Sequence, residues 1–273
     1  MIPSLALRTL LVAASVAAGA LPAMAHGFWL NATHYVIDRT AGDHGAVASE
    51  TQLFVGMGHI WPVEEPLSLE DLARYGVVGP DGTTALTPNA PGLLEVEVAP
   101  KVDGPHVAVA SYKRHFLTGY RVDGETLWAE EPKTGKSDIV FSAYYEPYAK
   151  ALLQVGIPEA EHFTEPVGDA LELVPLVNPY TVQPGADATL ALRVLYRGAP
   201  LAGASVFGRH SGTLPRTAFP VEARSDDDGV VRVPVTQAGI WLLKVEHTVK
   251  PRASFADQCD EETYEASITF ELR

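Results

Sequence analysis

Beyond residue 25 the chain alternates between short apolar runs and clusters of turn-forming residues. "TQLFVG" (51–56), "GLLEVEVA" (92–99) and "HVAVASY" (106–112) read as β-strands, and "GPDG" (79–82) as a turn. One segment carries helix signals instead. In "SLEDLARYG" (68–76) Ser68 stands at the cap, Asp71 at the third helical position and Gly76 just past the end. The segment "FSAYYEPYAKALLQVG" (141–156) is open to two readings, since its pattern permits a helix while Pro147 and the ending "ALLQVG" allow a strand. A boundary is expected at the polar, proline-bearing stretch 157–170. After it the runs "LELVP" (171–175), "ATLALRVLY" (188–196), "ASVFGR" (204–209), "GVVRVPV" (229–235), "GIWLLKVEH" (239–247) and "YEASITFEL" (264–272) follow at the spacing of a small antiparallel sandwich. No internal repeat or low-complexity tract interrupts the pattern.

The first 25 residues differ from the rest. Arg8, the apolar run "TLLVAASVAAGAL" and the small residues of "AMA" (23–25) predict a secretory signal peptide cut before His26. The run is too short and alanine-rich for a membrane span, no later run approaches one, and a soluble periplasmic protein without membrane insertion is expected. The chain carries 34 acidic against 20 basic residues, a net charge of −14 that becomes −15 once Arg8 leaves with the leader. That surface repels nucleic acid and anionic membranes. Cys259 is the sole cysteine, so no intramolecular disulfide and no thiolate cluster can form. A metal would have to be held by nitrogen and oxygen.

Cleavage before His26 changes what that residue can do. Its new α-amine and its imidazole Nδ1 can close a chelate ring on one metal ion, and an amine with a pKa near 8 yields its proton to a metal at neutral pH. This histidine brace needs another imidazole. His59, in the strand-ending "VGMGHIWP" (55–62), is the first choice, with Met57 two residues away. His34, His106, His115 and His247 remain candidates for further ligands, His106 and His115 framing one predicted strand. His44, His162 and His210 read as turn or loop residues. "SDDDG" (225–229) lacks the alternating spacing of a calcium loop and reads as a hairpin turn. No nucleophile elbow, P-loop, zinc-protease motif or dinucleotide fingerprint occurs, so an enzyme is not expected.

Three stretches, "HGFWLN" (26–31), "YAKALLQVG" (148–156) and "LELVPLVNPYTVQPG" (171–185) running on through "LALRVLYRGAPLAGASV" (190–206), together resemble a bacterial family of unknown-function domains described as the periplasmic component of cobalt/nickel ABC-type transport. The closing "GIWLLKVEH" and "YEASITFEL" fit the same family. "RGAPLAGASVFG" (197–208) followed by "SDDDGVVRVPV" (225–235) is similar to transthyretin-like or carboxypeptidase-regulatory domains of immunoglobulin type. The resemblance implies a mostly β protein of two β-sandwich-type domains. Residues 26–165 would form the metal-binding domain with its one short helix, and residues 170–273 an immunoglobulin-like domain. It also implies that a divalent transition metal, Ni(II) or Co(II) first, is held by His26 and His59 and handed to a cognate ABC-type permease or outer-membrane receptor. The family often has an acid directly after the first histidine, where this chain has Gly27. Copper carriage is the alternative, and a copper-dependent polysaccharide monooxygenase using the same brace is a more distant one.

Overall fold

The computed structural model describes residues 26–38, 49–158, 163 and 165–273. The predicted leader, His44 and His162 lie outside the described residues. The first half contains β1 (Gly27–Ala32), β2 (Val36–Ile37), β3 (Thr51–Gly58), β4 (Leu72–Gly79), β5 (Gly82–Ala85), β6 (Val96–Val98), β7 (Gly104–Tyr112), β8 (His115–Val122), β9 (Glu125–Ala129) and β10 (Ile139–Val155). The second contains β11 (Leu171–Pro175), β12 (Thr189–Tyr196), β13 (Ala199–Pro200), β14 (Ser205–His210), β15 (Val221–Arg224), β16 (Val230–Pro234), β17 (Gly239–Val249) and β18 (Glu261–Leu272). The fold is mostly β, in several sheets. Among the described residues no helix is long and apolar enough to cross a membrane.

The short helix expected at 68–76 does not form. Only one 3-10 turn, Leu69–Asp71, follows Ser68, whose N–H donates to Asp71 Oδ2 at 2.5 Å. From Leu72 the chain becomes β4, because pairing with β7 on one edge and β5 on the other buries Tyr75 and Val77. The local cap is real, but sheet pairing outweighs it. The ambiguous 141–156 segment is strand throughout. β10 pairs antiparallel with β8 through Tyr145 and with β7 from Leu152 onward. Pro147 falls in the gap between those two antiparallel partners, where its missing N–H interrupts neither of them, and it lies opposite Glu265 in the parallel pairing with β18.

β10 also joins the two halves. It runs parallel to β18, with Ala143 opposite Glu261 and Ala151 opposite Thr269. Strands from both sides of the expected boundary thereby share one sheet, ordered β15-β14-β17-β18-β10-β7-β4-β5 with β2, β8 and β9 attached. The second half closes as a sandwich. A sheet of β11, β12, β13 and β16 faces β14, β17 and β18 across a core that includes Leu173, Leu192, Val231, Val233, Trp241, Leu243, Ile268 and Phe270. A second core under β1 and β3 includes Phe28, Leu30, Leu53, Val55 and Leu153. Lys150 of β10 and Glu172 of β11, both buried, form a 2.5 Å ion pair, and Glu172 also accepts the N–H groups of Val167 and Gly168.

Strict alternation along "YEASITFEL" suggests one buried and one wet face, yet both faces of β18 are buried. Tyr264, Ala266, Ile268 and Phe270 fill the sandwich core. The intervening polar residues meet the backbone of β1. Glu265 accepts from Phe28 N–H at 2.8 Å, Ser267 donates to Phe28 C=O at 2.7 Å, and Thr269 donates to Leu30 C=O at 2.5 Å. β3 occupies one edge of β1, so these side chains satisfy backbone groups that would otherwise be left unpaired in a dry interior.

Burial pushes the Glu265 carboxyl up to about 7 from 4.5, partly offset by Lys244 and by the Phe28 N–H. The folded protein therefore keeps a proton that the unfolded chain releases, and stability falls as pH rises from 4.5 to about 7. That shift corresponds to something on the order of 3 kcal/mol. Glu265→Gln keeps an acceptor for Phe28 without the ionisation. Urea unfolding should show the variant gaining about 1–3 kcal/mol on the native protein between pH 5 and pH 8. Equal pH slopes for both proteins would refute a protonated buried Glu265.

Candidate metal-binding site

The site is built where β1 begins and β3 ends. Their register sets Gly27 opposite Gly58 and Phe28 opposite Met57, so the residues just beyond, His26 and His59, also face each other. Their rings meet edge to face, with centroids 4.4 Å apart and planes at 87°. Both are substantially exposed, at 43% and 49% of the side chain.

Two acids complete the cluster. His26 Nε2 lies 3.5 Å from Glu65 Oε1, and His59 Nδ1 lies 3.7 Å from Glu64 Oε2. These are ion-pair distances rather than hydrogen bonds. Glu64 is chiefly a loop brace, since its Oε2 accepts the N–H groups of His59 and Ile60. The His59 N–H is the main reason its carboxyl lies below the ordinary carboxylate range, helped by the Ile60 N–H and by the rings of His59 and His26. Glu65 is fixed through its backbone, whose N–H donates to Met57 C=O at 3.1 Å. Each carboxylate stands beside one ring nitrogen, leaving Nδ1 of His26 and Nε2 of His59 as the nitrogens turned to other uses. Among the described residues no three His, Cys, Asp or Glu side chains stand together in ligand geometry.

The loop carrying His59, Glu64 and Glu65 is clamped from below. Trp29 Nε1 donates to Pro62 C=O at 2.6 Å, Asn31 Nδ2 to the same oxygen at 3.3 Å, and Trp61 Nε1 to Asn31 Oδ1 at 2.9 Å. Arg216, from the second half, donates Nε to Trp61 C=O at 3.1 Å. The glycines of "VGMGH" make this closeness possible. A Cβ on Gly56 would stand 2.1 Å from both Pro62 O and Trp29 Nε1, and Gly58 adopts φ +120° against Glu64. Met57 packs against the core under β1.

The remaining histidines are elsewhere. His34 is exposed at the far end of β1, on the order of 20 Å away at strand rise, with Nδ1 3.3 Å from Thr33 Oγ1. His106 and His115 lie on separate strands, β7 and β8, rather than at the two ends of one. His106 is buried, its Nδ1 is 3.2 Å from Gly104 C=O, and it lines a separate cavity with Asp81, Glu97 and Lys101; burial pushes its imidazole down. His115 stacks on Tyr145 with centroids 5.8 Å apart and keeps Nδ1 3.1 Å from Lys113 C=O. His247, at the end of β17, packs on Tyr196 at 4.6 Å, and desolvation lowers its pKa. None of these four makes a described contact with His26 or His59. Cys259 is buried and free, its thiol pushed up by burial. Asp226 caps its turn by accepting from Asp228 and Val230 N–H, the hairpin arrangement expected of "SDDDG".

The model of the family named "Domain of unknown function (DUF4198)" matches residues 23–249. The chain belongs to this family. A search of curated proteins finds no match. Among solved structures, the D0-D1 domain of Intimin aligns over 88% of this chain and 96% of that one, at 11% identity and TM-score 0.21. A chimeric titin Z1Z2 functionalized with a KLER exogenous peptide from decorin aligns over 92% and 99%, at 12% identity and TM-score 0.19. Superpositions this loose enter no argument below. The family's span includes both His26 and His59 together with the clamp residues Trp29, Asn31 and Trp61.

Gly56→Ala should displace the loop from Trp29. The expected cost is about 2–4 kcal/mol in urea unfolding, with a changed near-ultraviolet tryptophan signal. A cost below about 0.5 kcal/mol would mean that the loop is not seated on Trp29.

Proposed function

We propose that this protein is a periplasmic carrier of a divalent transition metal, taken as cargo by His26 and His59. One observation bears most of the weight: the two imidazoles that would have to meet stand 4.4 Å apart across a β-pair. The reading requires cleavage before His26, which supplies the third nitrogen. Metal-bound imidazoles commonly turn their other ring nitrogen to a carboxylate, and Glu65 and Glu64 occupy those positions for His26 and His59. The metal would then be held by His26 Nδ1, the His26 amine and His59 Nε2, with open positions toward solvent suited to exchange with a permease or receptor. The neighbouring carboxylates supply negative charge, which favours a divalent ion over a neutral ligand.

Ni(II) and Co(II) are the first choice, in line with the family resemblance. A three-nitrogen set containing a five-atom-plus-metal chelate also suits Cu(II), which outcompetes Ni(II) at most nitrogen sites, so copper carriage is the second reading. Delivery to an ABC-type permease or outer-membrane receptor belongs to the same proposal.

Calorimetric titration of protein beginning at His26 with Ni(II), Co(II), Cu(II) and Zn(II) tests it. Micromolar or tighter binding is expected for Ni(II), Co(II) or Cu(II), about 8 kcal/mol or more. A single extra residue ahead of His26, or His26→Ala, should abolish that binding, and His59→Ala should weaken it without unfolding the protein. Tight binding that survives both changes at position 26, or tight binding of Zn(II) alone, would contradict the proposal.

A further inference from the structure

Acids outnumber bases 34 to 20 in this chain, yet one cavity is lined by two arginines and no acid. It has a volume of about 310 Å³ and is bordered by the clamped loop, its lining including Asn31, Trp61, Arg209, Ser211, Arg216 and Ile240. Arg209 sits at the end of β14 and is 1% exposed. Its Nη2 donates to Thr213 C=O at 2.9 Å and its Nη1 to Arg216 C=O, while its Nε has no hydrogen-bond partner. The guanidinium stacks over Trp61 at 5.5 Å and Phe219 at 5.8 Å. Among the described residues no carboxylate pairs with it. Desolvation, with Arg216 as the second cause, holds it below its ordinary range.

A buried cation without a counter-ion is costly, and removing it from water is normally offset by a paired anion. Here carbonyls and ring faces stabilise the positive charge only in part, and the nearest charged neighbour adds repulsion. Arg216 is exposed and tethered by Nε to Trp61 C=O, and its terminal nitrogens make no hydrogen bond among the described residues. Two guanidiniums thus border one small cavity, whose other walls are an indole, an aliphatic side chain, an amide and a hydroxyl. This is the composition of a ligand pocket, mostly apolar with a few convergent polar groups.

We propose that this cavity binds a small organic anion, a carboxylate attached to a planar apolar body. The carboxylate neutralises Arg209 and Arg216 through charge-assisted hydrogen bonds, and the body lies against Trp61 and Ile240. The site does not depend on the metal-carrier reading, because none of its residues is a proposed metal donor.

The test uses metal-free protein at constant ionic strength, titrated with benzoate or with its neutral isostere benzamide and followed by tryptophan fluorescence and calorimetry. Benzoate should bind saturably, with benzamide at least about tenfold weaker. Arg216 is exposed, so Arg216→Gln should fold normally, and it should weaken benzoate about tenfold, by more than it weakens benzamide. Absence of saturable benzoate binding by about 10 mM, a preference over benzamide smaller than about tenfold, or unchanged benzoate affinity in Arg216→Gln would each overturn the proposal.

Discussion

β1 depends on the polar face of β18. One edge of β1 is zipped to β3, and among the described residues no strand pairs with the other. Three side chains two residues apart, Glu265, Ser267 and Thr269, supply the missing partners for Phe28 and Leu30. An unpaired buried N–H or C=O costs about 1–3 kcal/mol, so losing them would weaken the docking of β1. Everything proposed for the N-terminal end of the protein follows from that docking. The register of β1 against β3 places His26 by His59, and the face of β1 opposite Phe28 and Leu30 offers Trp29 and Asn31 to the loop that carries His59.

The stretches that carry the family resemblance are the ones that touch each other. "HGFWLN" contains Phe28 and Leu30, and "YEASITFEL" contains the residues that bond them. "YAKALLQVG" and "LELVPLVNPYTVQPG" meet in the same way. Lys150 pairs with Glu172, Gln154 accepts from Asn178 at 3.0 Å, and Tyr180 donates to Leu152 C=O at 2.6 Å. Those motifs are therefore joints between segments far apart in the chain, and they tie both halves to β10. A resemblance resting on them is informative about fold. About the metal it is informative only through His26, which lies at the margin of the first motif.

The legibility of the sequence divides along the same physical line. Alternation in "ATLALRVLY", "GIWLLKVEH" and "YEASITFEL" revealed the strands of the sandwich because their apolar faces fill a common core. The opposite face of β18 was hidden, since Glu265, Ser267 and Thr269 look like solvent-facing residues until β1 is laid over them. The 68–76 segment misleads in the reverse sense. Its cap at Ser68 and Asp71 is present, but Tyr75 and Val77 gain more from burial against β7 than from a short exposed helix. At the site, the glycine-rich close approach in "VGMGH" could be read directly, while chelation by His26 belongs to the proposal. Glu64 and Glu65 were missed, although two adjacent acids five and six residues after His59 were a usable signal. That His26 and His59 stand together while His34, His106, His115 and His247 lie elsewhere follows from strand register, which no single sequence supplies.

The loop 59–65 therefore borders two surfaces of opposite charge. Toward solvent it carries His59, Glu64 and Glu65, an acidic, nitrogen-bearing surface suited to a cation. On its inner side Trp61 closes a cavity bordered by Arg209 and Arg216, suited to an anion. The clamp on Pro62 and Trp61 fixes the loop between these two surfaces. The hydrogen bonds of Trp29 and Asn31 to Pro62 and Trp61 therefore hold a single loop that borders both surfaces.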